Sequence, residues 1–294
     1  MIIMHMLSGL GNQMFQYAFG RALSLTHGTE LRLDLISYRQ ERTWHNGFEL
    51  ARLFDIAIRE PDAHDLWKVH GWRTLGGAYS RLAGSRFSWL RGSALMIEPH
   101  HHFWPEALPS PENKYYIGYW QSEKYFAAHQ ETIRRDFAFK LPLSKENAAL
   151  QRRMRSCEAV SLHVRRSDYL HPMNLHVLGV TPLEYYQKAI AWIAARCARP
   201  HFFVFSDDIP WARAHLPLQP FPCVFIEHNS GPESYNDMRL MSQCQHHIIA
   251  NSTFSWWGAW LNPSQDKMVV APDRWFVSDR FKTVDLTPAG WIKL

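Results

Sequence analysis

The segment Ala159-Val-Ser-Leu-His-Val-Arg-Arg-Ser-Asp168 decides the fold class of this chain. Its apolar first half has the length and composition of a buried β-strand, and it runs directly into two arginines and an aspartate. In an open α/β sheet, ligands bind in the crevice beyond the carboxyl ends of the strands. A guanidinium is always charged and matches phosphate oxygens in pairs. The segment therefore predicts a diphosphate site at Arg165 and Arg166, with a solvated basic loop as the alternative.

Strands and helices alternate along the chain around this segment. The predicted strands are 2–7, 31–35, 159–164, 201–206, 224–226, 247–250 and 268–271. The predicted helices include one that follows a glycine turn and stops at Gly28, and those at 182–197, 232–245 and 252–261. Such alternation favours parallel sheets covered on both faces. We expect two α/β halves, residues 1–150 and 151–294, facing a central cleft, with a C-terminal tail that can cross back to the first half.

Length, charge and cysteine content narrow the class of protein. The 294 residues suffice for real apolar cores, and the net charge of +5 suits an anionic substrate or surface but is too diffuse to argue for nucleic acid. The four cysteines form no CxxC pair and are expected to be reduced. The N-terminal residues do not resemble a signal peptide, and no apolar run reaches the roughly 20 residues of a membrane span. We expect a cytoplasmic protein, either free or peripheral on a membrane surface.

A glycine turn, Gly9-x-Gly11, separates the first strand from the first helix. It resembles the start of a dinucleotide-binding fingerprint, but Met14 stands where the third glycine belongs and would crowd the helix against the strand. The turn places Asn12 and Gln13 at the start of the helix, and we expect their side chains to point into the cleft. Simple capping of the helix by Asn12 is the alternative.

Two acids, Asp207 and Asp208, end the strand at 201–206. Paired acids after a strand can bind Mg²⁺, but here Ile209-Pro-Trp211 looks like the start of a helix. An aspartate at a helix start is more often a cap or a hydrogen-bond acceptor. An acceptor at this position could bind the N–H edge of guanine.

The segment Asn251-Ser-Thr-Phe-Ser-Trp-Trp-Gly258 follows an apolar strand and opens a helix. Backbone N–H groups and hydroxyls at a helix N-terminus form an anion site. The alternative is ordinary helix capping by Ser252. A second conspicuous run, His100–His102, is interpreted as surface because adjacent histidines seldom converge on one metal ion.

Residues 66–97 contain cations interleaved with aromatic side chains and no acid before Glu98. The cations are Lys68, Arg73, Arg81, Arg86 and Arg91. This composition suits the headgroup region of an anionic membrane, and a basic solvated excursion is the alternative.

The chain resembles the bacterial α-1,2-fucosyltransferases of glycosyltransferase family 11. The four segments that carry the resemblance, in the family's order, are Leu7–Ala18, Tyr116–Phe126, His163–Tyr169 and Asn251–Ala259. The resemblance is poor around residues 60 to 110. It implies a GT-B-like fold of two Rossmann-like domains, an N-terminal acceptor side and a C-terminal GDP-fucose side. It also implies inverting transfer of L-fucose from GDP-β-L-fucose to the 2-hydroxyl of a terminal galactose, with no metal.

The resemblance also implies roles for individual side chains. Arg165 would hold the β-phosphate, His163 would lie near the guanine or ribose, Asp207 would bind guanine, and Asn12 would face the fucose. The full expected donor set is Gly11, Asn12, Gln13, His163, Arg165, Arg166, Asp207, Asn251, Ser252, Thr253 and Phe254. Asp168 is the carboxylate nearest to these motifs, and it is expected either to take part in catalysis as the base or to orient the arginines.

Three function classes remain open at this stage. The first is a fucosyltransferase that modifies a β-galactoside-terminated oligosaccharide, with lipid-linked O-antigen or another surface glycan as the expected context. The second is a nucleotide-dependent Rossmann enzyme of another class, disfavoured by Met14. The third is a non-catalytic sugar-binding protein, which has no reason to carry a diphosphate site. Stabilisation by GDP, rather than by NAD⁺ or free fucose, is expected only for the first.

Overall fold

The computed structural model describes residues 1–40, 46–71, 93–109, 112–278 and 281–294. The chain forms two compact units. Unit 1 consists of Met1–Lys140 with Val284–Leu286, and unit 2 consists of Leu141–Thr283 with Thr287–Leu294. Among the described residues, no helix combines the length and the apolar character needed to cross a lipid bilayer.

Unit 1 contains a four-stranded parallel sheet in the order β2-β1-β4-β3. Its strands are β1 (Ile2–His5), β2 (Leu31–Asp34), β3 (Leu95–Ile97) and β4 (Lys114–Ile117). Its helices are α1 (Leu10–His27), α2 (Ile36–Gln40), α3 (Leu50–Leu53), α4 (Ala63–His70) and α5 (Gln130–Asp136). Short 3₁₀ turns lie at Pro105–Ala107, Glu123–Tyr125 and Ala127–His129.

Helix α1 lies close against the first strand because of a glycine that was not part of the predicted turn. A Cβ atom on Gly20 would come within 2.4 Å of Cγ of Met4, so the helix could not approach β1 this closely with any larger residue. Met14, in the same helix, is fully buried. The helix ends at Gly28, which has φ of 59° as a left-handed cap. The predicted stop is therefore confirmed, and the close-packing glycine is Gly20.

Unit 2 contains a six-stranded parallel sheet in the order β10-β9-β8-β5-β6-β7. Its strands are β5 (Glu158–Val164), β6 (Pro200–Ser206), β7 (Cys223–Ile226), β8 (His246–Ile248), β9 (Val269–Ala271) and β10 (Ile292–Lys293). Its helices are α6 (Lys145–Arg155), α7 (Pro172–Leu175), α8 (Leu183–Ala194), α9 (Ile209–His215), α10 (Tyr235–Met241) and α11 (Thr253–Leu261).

The central strands of unit 2 are buried on both faces, as a parallel sheet requires. Val160 and Leu162 pack on the side covered by α8, while the alternate residues Ala159 and Ser161 are also inaccessible. Burying one aliphatic side chain contributes about 1.5–3 kcal/mol, so this sheet is the main apolar core of the unit. The predicted α/β class with parallel sheets is confirmed.

The boundary between the units differs from the expected one. It lies after Lys140 rather than after residue 150. The reason is α6, which packs against β5 and α10 and so belongs to unit 2 from its first residue. Its N-cap Ser144 accepts a hydrogen bond from the backbone N–H of Asn147, so the helix start is locally specified. Three residues of the C-terminal part, Val284–Leu286, group with unit 1.

Candidate active site

Three neighbouring strands of unit 2 end at the same edge of the sheet. Strand β5 lies between β6 and β8 in parallel register, so the residues that follow these strands are close in space. They are Arg165–Asp168 after β5, Asp207 and Asp208 after β6, and Asn251–Phe254 after β8. The three C-terminal motifs of the sequence therefore converge on one edge.

Arg165 is held at this edge by two carboxylates. Its Nε lies 2.8 Å from Oδ1 of Asp168 and 3.3 Å from Oδ2 of Asp207. Burial by itself lowers the pKa of Arg165, but the two carboxylates outweigh it and raise the pKa above its ordinary value. Because both carboxylates make their closest contact at Nε, the outer edge with Nη1 and Nη2 is the part of the guanidinium that can meet another anion.

Asp207 is occupied by the backbone of the arginine loop. The backbone N–H groups of Arg166 and Ser167 donate to its two carboxylate oxygens at 2.9 and 3.1 Å. The hydroxyl of Ser167 donates to its carbonyl oxygen at 2.9 Å. Arg165 is a further partner of this carboxylate, at 3.3 Å from Oδ2. These contacts position the arginine loop, and the contact of Asp207 with guanine stays a prediction.

Arg166 is fixed differently from Arg165. Its Nε donates to Oδ2 of Asp208 at 3.3 Å, and its guanidinium carbon lies 3.9 Å from the centre of the Trp211 ring. Asp208 also caps α9 by accepting from the backbone N–H of Trp211 at 3.1 Å. The predicted helix start is confirmed, and the cap also anchors the second arginine.

His163 is buried beside the arginines and is neutral. Burial, and after it the charge of Arg165, lowers the pKa of the imidazole to about 3. Its Nδ1 is buried and has no hydrogen-bond partner among the described residues. Its ring lies 6.0 Å from the ring of Phe254, at the start of α11. An unpaired buried nitrogen costs free energy, so this position is suited to a partner group supplied by a ligand.

Asn251 holds the loops around the site. Its side-chain amide donates to the carbonyl oxygens of Leu178, Gly179 and Trp275 at 2.9, 3.3 and 3.1 Å. Its side-chain oxygen accepts from the hydroxyl of Thr181 at 2.8 Å. The side-chain amide is therefore engaged with the protein, and the contact of Asn251 with the donor stays a prediction.

Helix α11 begins without a side-chain cap. Ser252 is the N-cap residue, but its hydroxyl accepts no backbone N–H of the first turn, so ordinary capping by Ser252 is not found. Thr253 and Phe254 are half-buried in that turn. Uncapped N–H groups at a helix start favour an anion. The geometry at this position fits the expected anion site.

Unit 1 has a strained turn at the carboxyl end of β1. Ser8 has φ of 69°, a left-handed conformation that is uncommon outside glycine. The side-chain amide of Asn12 donates to the hydroxyl of Ser8 at 2.9 Å, and its oxygen accepts from the Gln121 amide at 2.7 Å. Oε1 of Gln121 is buried and has no partner among the described residues. The cap of α1 is Gly9, so Asn12 is not an N-cap. Oε1 of Gln121 is therefore the polar atom of this pair without a partner among the described residues, and Gln121 was not singled out by the sequence.

Gln13 does not point out of unit 1. Its amide donates to the carbonyl oxygens of Ser8 and Gly47 at 3.0 and 2.8 Å, and its oxygen accepts from the backbone N–H of Glu49 at 2.9 Å. The expected orientation of Gln13 is therefore wrong, because a fully buried amide satisfies three backbone groups. Gly11 is buried in the same turn of α1.

A carboxylate at the end of β3 was also not singled out from the sequence. Glu98 follows Ile97 and accepts hydrogen bonds from the backbone N–H groups of Tyr119 and Trp120. Burial raises its pKa to about 7, although the two N–H groups by themselves lower it. The available clue was a lone acid after an apolar run, which becomes informative only once β3 is recognised as a strand.

Two other features of the sequence are the histidine run at residues 100–102 and the basic aromatic segment 66–97. The rings of His100 and His102 are stacked at 3.3 Å, and the run is half-buried rather than fully exposed. Within the described part of the chain, the one group of three side chains that could hold a metal is Glu158, Cys197 and His246, which does not include the histidine run. Most of the basic aromatic segment 66–97 lies in residues 72–92, outside the described residues.

Comparison with known proteins identifies relatives of this chain. Residues 95–294 match the family model of Glycosyl transferase family 11. The chain is 32% identical over 302 residues to an alpha-1,2-colitosyltransferase of Escherichia coli, with 100% of this chain and 98% of that protein covered. It is 28% identical over 267 residues to the galactoside alpha-(1,2)-fucosyltransferase 2 of Bos taurus, with 86% of this chain and 66% of that protein covered.

Two further similarities are partial or distant. The O-antigen biosynthesis glycosyltransferase WbnK of Escherichia coli is 44% identical over 143 residues, 47% of this chain and 45% of that protein. The crystal structure of the fucosyltransferase NodZ from Bradyrhizobium aligns with a TM-score of 0.47 and 13% identity. The alignment covers 89% of this chain and 93% of the NodZ chain. The family model covers more than half of the chain, and the colitosyltransferase matches it over its whole length. The chain therefore belongs to glycosyl transferase family 11.

Proposed function

We propose that this glycosyltransferase moves L-fucose from GDP-β-L-fucose to the 2-hydroxyl of a terminal galactose, with inversion at the anomeric carbon. The observation that carries the proposal is Arg165 at the end of β5, whose outer guanidinium edge is left open by the two carboxylates that hold its Nε. Family membership supplies the reaction class, and α-1,2 transfer is the activity printed in the names of full-length and partial relatives.

The charge changes in the reaction fit the described residues of unit 2. As the bond between the fucose C1 and the β-phosphate oxygen breaks, negative charge develops on the diphosphate. Arg165 and the uncapped first turn of α11 would stabilise that charge. Arg166, stacked on Trp211 and paired with Asp208, would hold the nucleotide side of the donor. We propose that these groups make a metal ion unnecessary.

The remaining predicted residues receive revised roles in this proposal. Asp168 and Asp207 position Arg165 through ion pairs with its Nε, and Asn251 holds the residue before the start of α11. His163, with its unpaired Nδ1, would accept or donate one hydrogen bond to the guanosine. Asn12 and Gln121 would contact a sugar hydroxyl. We propose a GT-B-like enzyme in which unit 1 binds the acceptor and unit 2 binds the donor.

A thermal shift titration followed by product analysis tests the proposal. GDP should raise the melting temperature of the protein, whereas NAD⁺ and free fucose should not. Incubation with GDP-β-L-fucose and a β-galactoside should give a product that contains an α-1,2-linked fucose by NMR. Stabilisation by NAD⁺ but not by GDP would refute the proposal.

A second candidate donor is GDP-colitose. The full-length match to a colitosyltransferase favours it. Colitose differs from L-fucose by the absence of one hydroxyl, the 3-hydroxyl, so a site that hydrogen-bonds that hydroxyl would reject colitose strongly. Measuring kcat/KM for both donors with one galactoside acceptor decides between them. If kcat/KM for GDP-colitose is more than about one hundred times that for GDP-fucose, colitose rather than fucose is the transferred sugar.

The setting of the reaction is also a proposal. We propose a lipid-linked oligosaccharide as the acceptor and peripheral contact with the inner face of the plasma membrane. The argument depends on the sequence composition of residues 66–97, and the vesicle experiment described in the Discussion tests it.

A further inference from the structure

Glu98 lies at the edge of the unit 1 sheet where the strands end. Strands β3 and β4 pair in parallel with Ile97 opposite Ile117, so Glu98 and Gly118 leave the sheet side by side. Strand β1 pairs with β4 on its other side, and its carboxyl end leads into the Ser8–Asn12 turn. Glu98 therefore lies at the same sheet edge as the turn that carries Asn12.

The turn after β4 holds the Glu98 carboxylate in one place. The N–H of Tyr119 donates to Oε2 at 2.6 Å, and the N–H of Trp120 lies 3.1 Å from Oε1 and 3.2 Å from Oε2. Gly118 has φ of 159° and Trp120 has φ of 56°. A Cβ atom on Gly118 would come within 2.4 Å of Cβ of Glu98. A strained turn and a close backbone approach thus fix the carboxylate, and strain of this kind concentrates at functional sites.

The same turn connects Glu98 to the amide pair of unit 1. Gln121 follows Trp120 directly, and its amide donates to Asn12 at 2.7 Å. The side-chain oxygen of Gln121 is buried without a partner in the described part of the chain. A buried acceptor of this kind suits the hydroxyl of a sugar, which can donate to it. One four-residue turn thus carries both the groups that fix Glu98 and an acceptor for a sugar hydroxyl.

The charge state of Glu98 suits proton transfer near neutral pH. Burial raises its pKa to about 7, and no lysine or arginine among the described residues forms an ion pair with it. The titratable groups that interact with it are the phenols of Tyr119 and Tyr125, whose pKa values burial raises, so they stay neutral. The ring of His101 lies 6.0 Å from that of Tyr119, and burial lowers the pKa of His101. Glu98 as a whole residue is half-buried.

Two other carboxylates near the strand ends of unit 1 already bind side chains of the protein. Asp34 accepts from the backbone N–H of Ile36 at 3.0 Å and from the hydroxyl of Tyr115 at 2.5 Å. Glu49 is 3% exposed and pairs with Arg52 at 3.0 Å. Glu98 differs from both because its only hydrogen bonds among the described residues come from the backbone of one turn, which leaves lone pairs available.

We propose that Glu98 is the general base of the transfer reaction; the inference rests on the proposed function. The acceptor hydroxyl oxygen forms a bond to C1 of the sugar while the bond from C1 to the β-phosphate oxygen breaks. The electron pair of the broken bond leaves with GDP. The hydroxyl proton moves to a carboxylate oxygen of Glu98 and then to water. A base whose pKa is near the working pH is the most efficient for such a step.

The test compares Glu98→Gln with Glu106→Gln, a matched change at an exposed carboxylate of the same unit. Wild-type enzyme and E106Q should transfer sugar equally. E98Q should lose roughly 10²–10⁴-fold in kcat, the range typical of a lost general base, with unchanged KM for the GDP-sugar and unchanged stabilisation by GDP. Wild-type kcat/KM for the acceptor should rise with pH through about 7, because the base must be deprotonated. E98Q should lack that rise.

The outcomes separate a catalytic role from a structural one. Wild-type activity in E98Q overturns the proposal. Reduced activity that still rises with pH through about 7 also overturns it, because another group would then be the base and Glu98 would only fix the turn. If E98Q does not fold, Glu98→Asp decides, because a retained carboxylate should keep a titrating limb and its absence overturns the proposal. A wild-type enzyme that transfers no sugar from any donor refutes the proposed function instead.

Discussion

Arg165 is the side chain on which the proposed donor site depends most. Its Nε is held by Asp168 and Asp207, so its position is fixed before any nucleotide binds. Replacing it with alanine removes the guanidinium edge that would meet the β-phosphate. It also leaves Oδ1 of Asp168, which is buried and makes no hydrogen bond in the described structure, without its ion-pair partner. Arg165→Ala therefore combines a catalytic loss with a local destabilisation.

The expected magnitude follows from these contacts. A hydrogen bond to a charged group contributes about 1.5–3 kcal/mol, and loss of one donor to a developing anion costs about 10²–10³ in kcat. Arg165→Ala should therefore lower kcat/KM for the donor at least about a hundredfold and weaken GDP binding. Arg165→Lys restores the charge beside Asp168 and Asp207, but one ammonium cannot pair with both carboxylates and also bind phosphate in two places. It should recover the thermal stability and little of the activity.

The assay is steady-state kinetics with varied GDP-fucose, together with a GDP thermal shift for each variant. Arg213→Lys is the matched control, because Arg213 is an exposed arginine of unit 2 that also pairs with a carboxylate, that of Glu227. It should have kinetics within about twofold of wild type, as surface ion pairs contribute little. Near-normal kinetics for Arg165→Lys would refute the assignment of Arg165 to the phosphate.

Three further predictions concern the metal, the arginine loop and the membrane. Transfer activity should survive excess EDTA, and loss of activity that Mg²⁺ or Mn²⁺ restores would contradict the metal-independent site. Asp207→Asn should weaken GDP binding about tenfold, because losing one hydrogen bond that holds the arginine loop costs about 1.5 kcal/mol. The binding is measured by calorimetry, and unchanged binding would show that Asp207 does not position that loop. Wild-type protein should co-sediment with anionic but not neutral vesicles, and this binding should be lost in high salt and after changing Arg81, Arg86 and Arg91 to Gln; equal failure to bind both vesicle types would leave segment 66–97 without a membrane role.

The sequence predicted the elements that local patterns specify. Five apolar runs of the C-terminal half are strands within one or two residues of their predicted bounds, and helix α1 ends at the predicted Gly28. These predictions succeeded because a buried parallel strand is a continuous apolar run, and a glycine is a common left-handed end to a helix. Strands β3 and β4 were missed because they lie in a stretch with irregular apolar spacing. Helix α6 was not among the predicted helices. It packs in unit 2, so the boundary between the units lies earlier in the chain than expected.

Sequence motifs located the candidate site but did not define how its side chains are used. Asp207, Gln13 and Asn251 are polar residues in the right motifs, yet each already makes hydrogen bonds within the protein. Whether a polar atom is free depends on loops far away in sequence, such as the one that brings Gly47 to Gln13. Glu98 and Gln121 are the opposite case, because only the pairing of β3 with β4 brings the acid that follows β3 beside the turn that carries Gln121.

The sequence by itself determined the fold class, the glycosyltransferase family and the three strand ends that converge in unit 2. It could do so because apolar runs and the residues just after them are local properties of the chain. The tertiary structure alone decided which of those polar groups remain available to a ligand. Most buried polar atoms pair with another group, and the identity of that partner is set by long-range packing that no local pattern records.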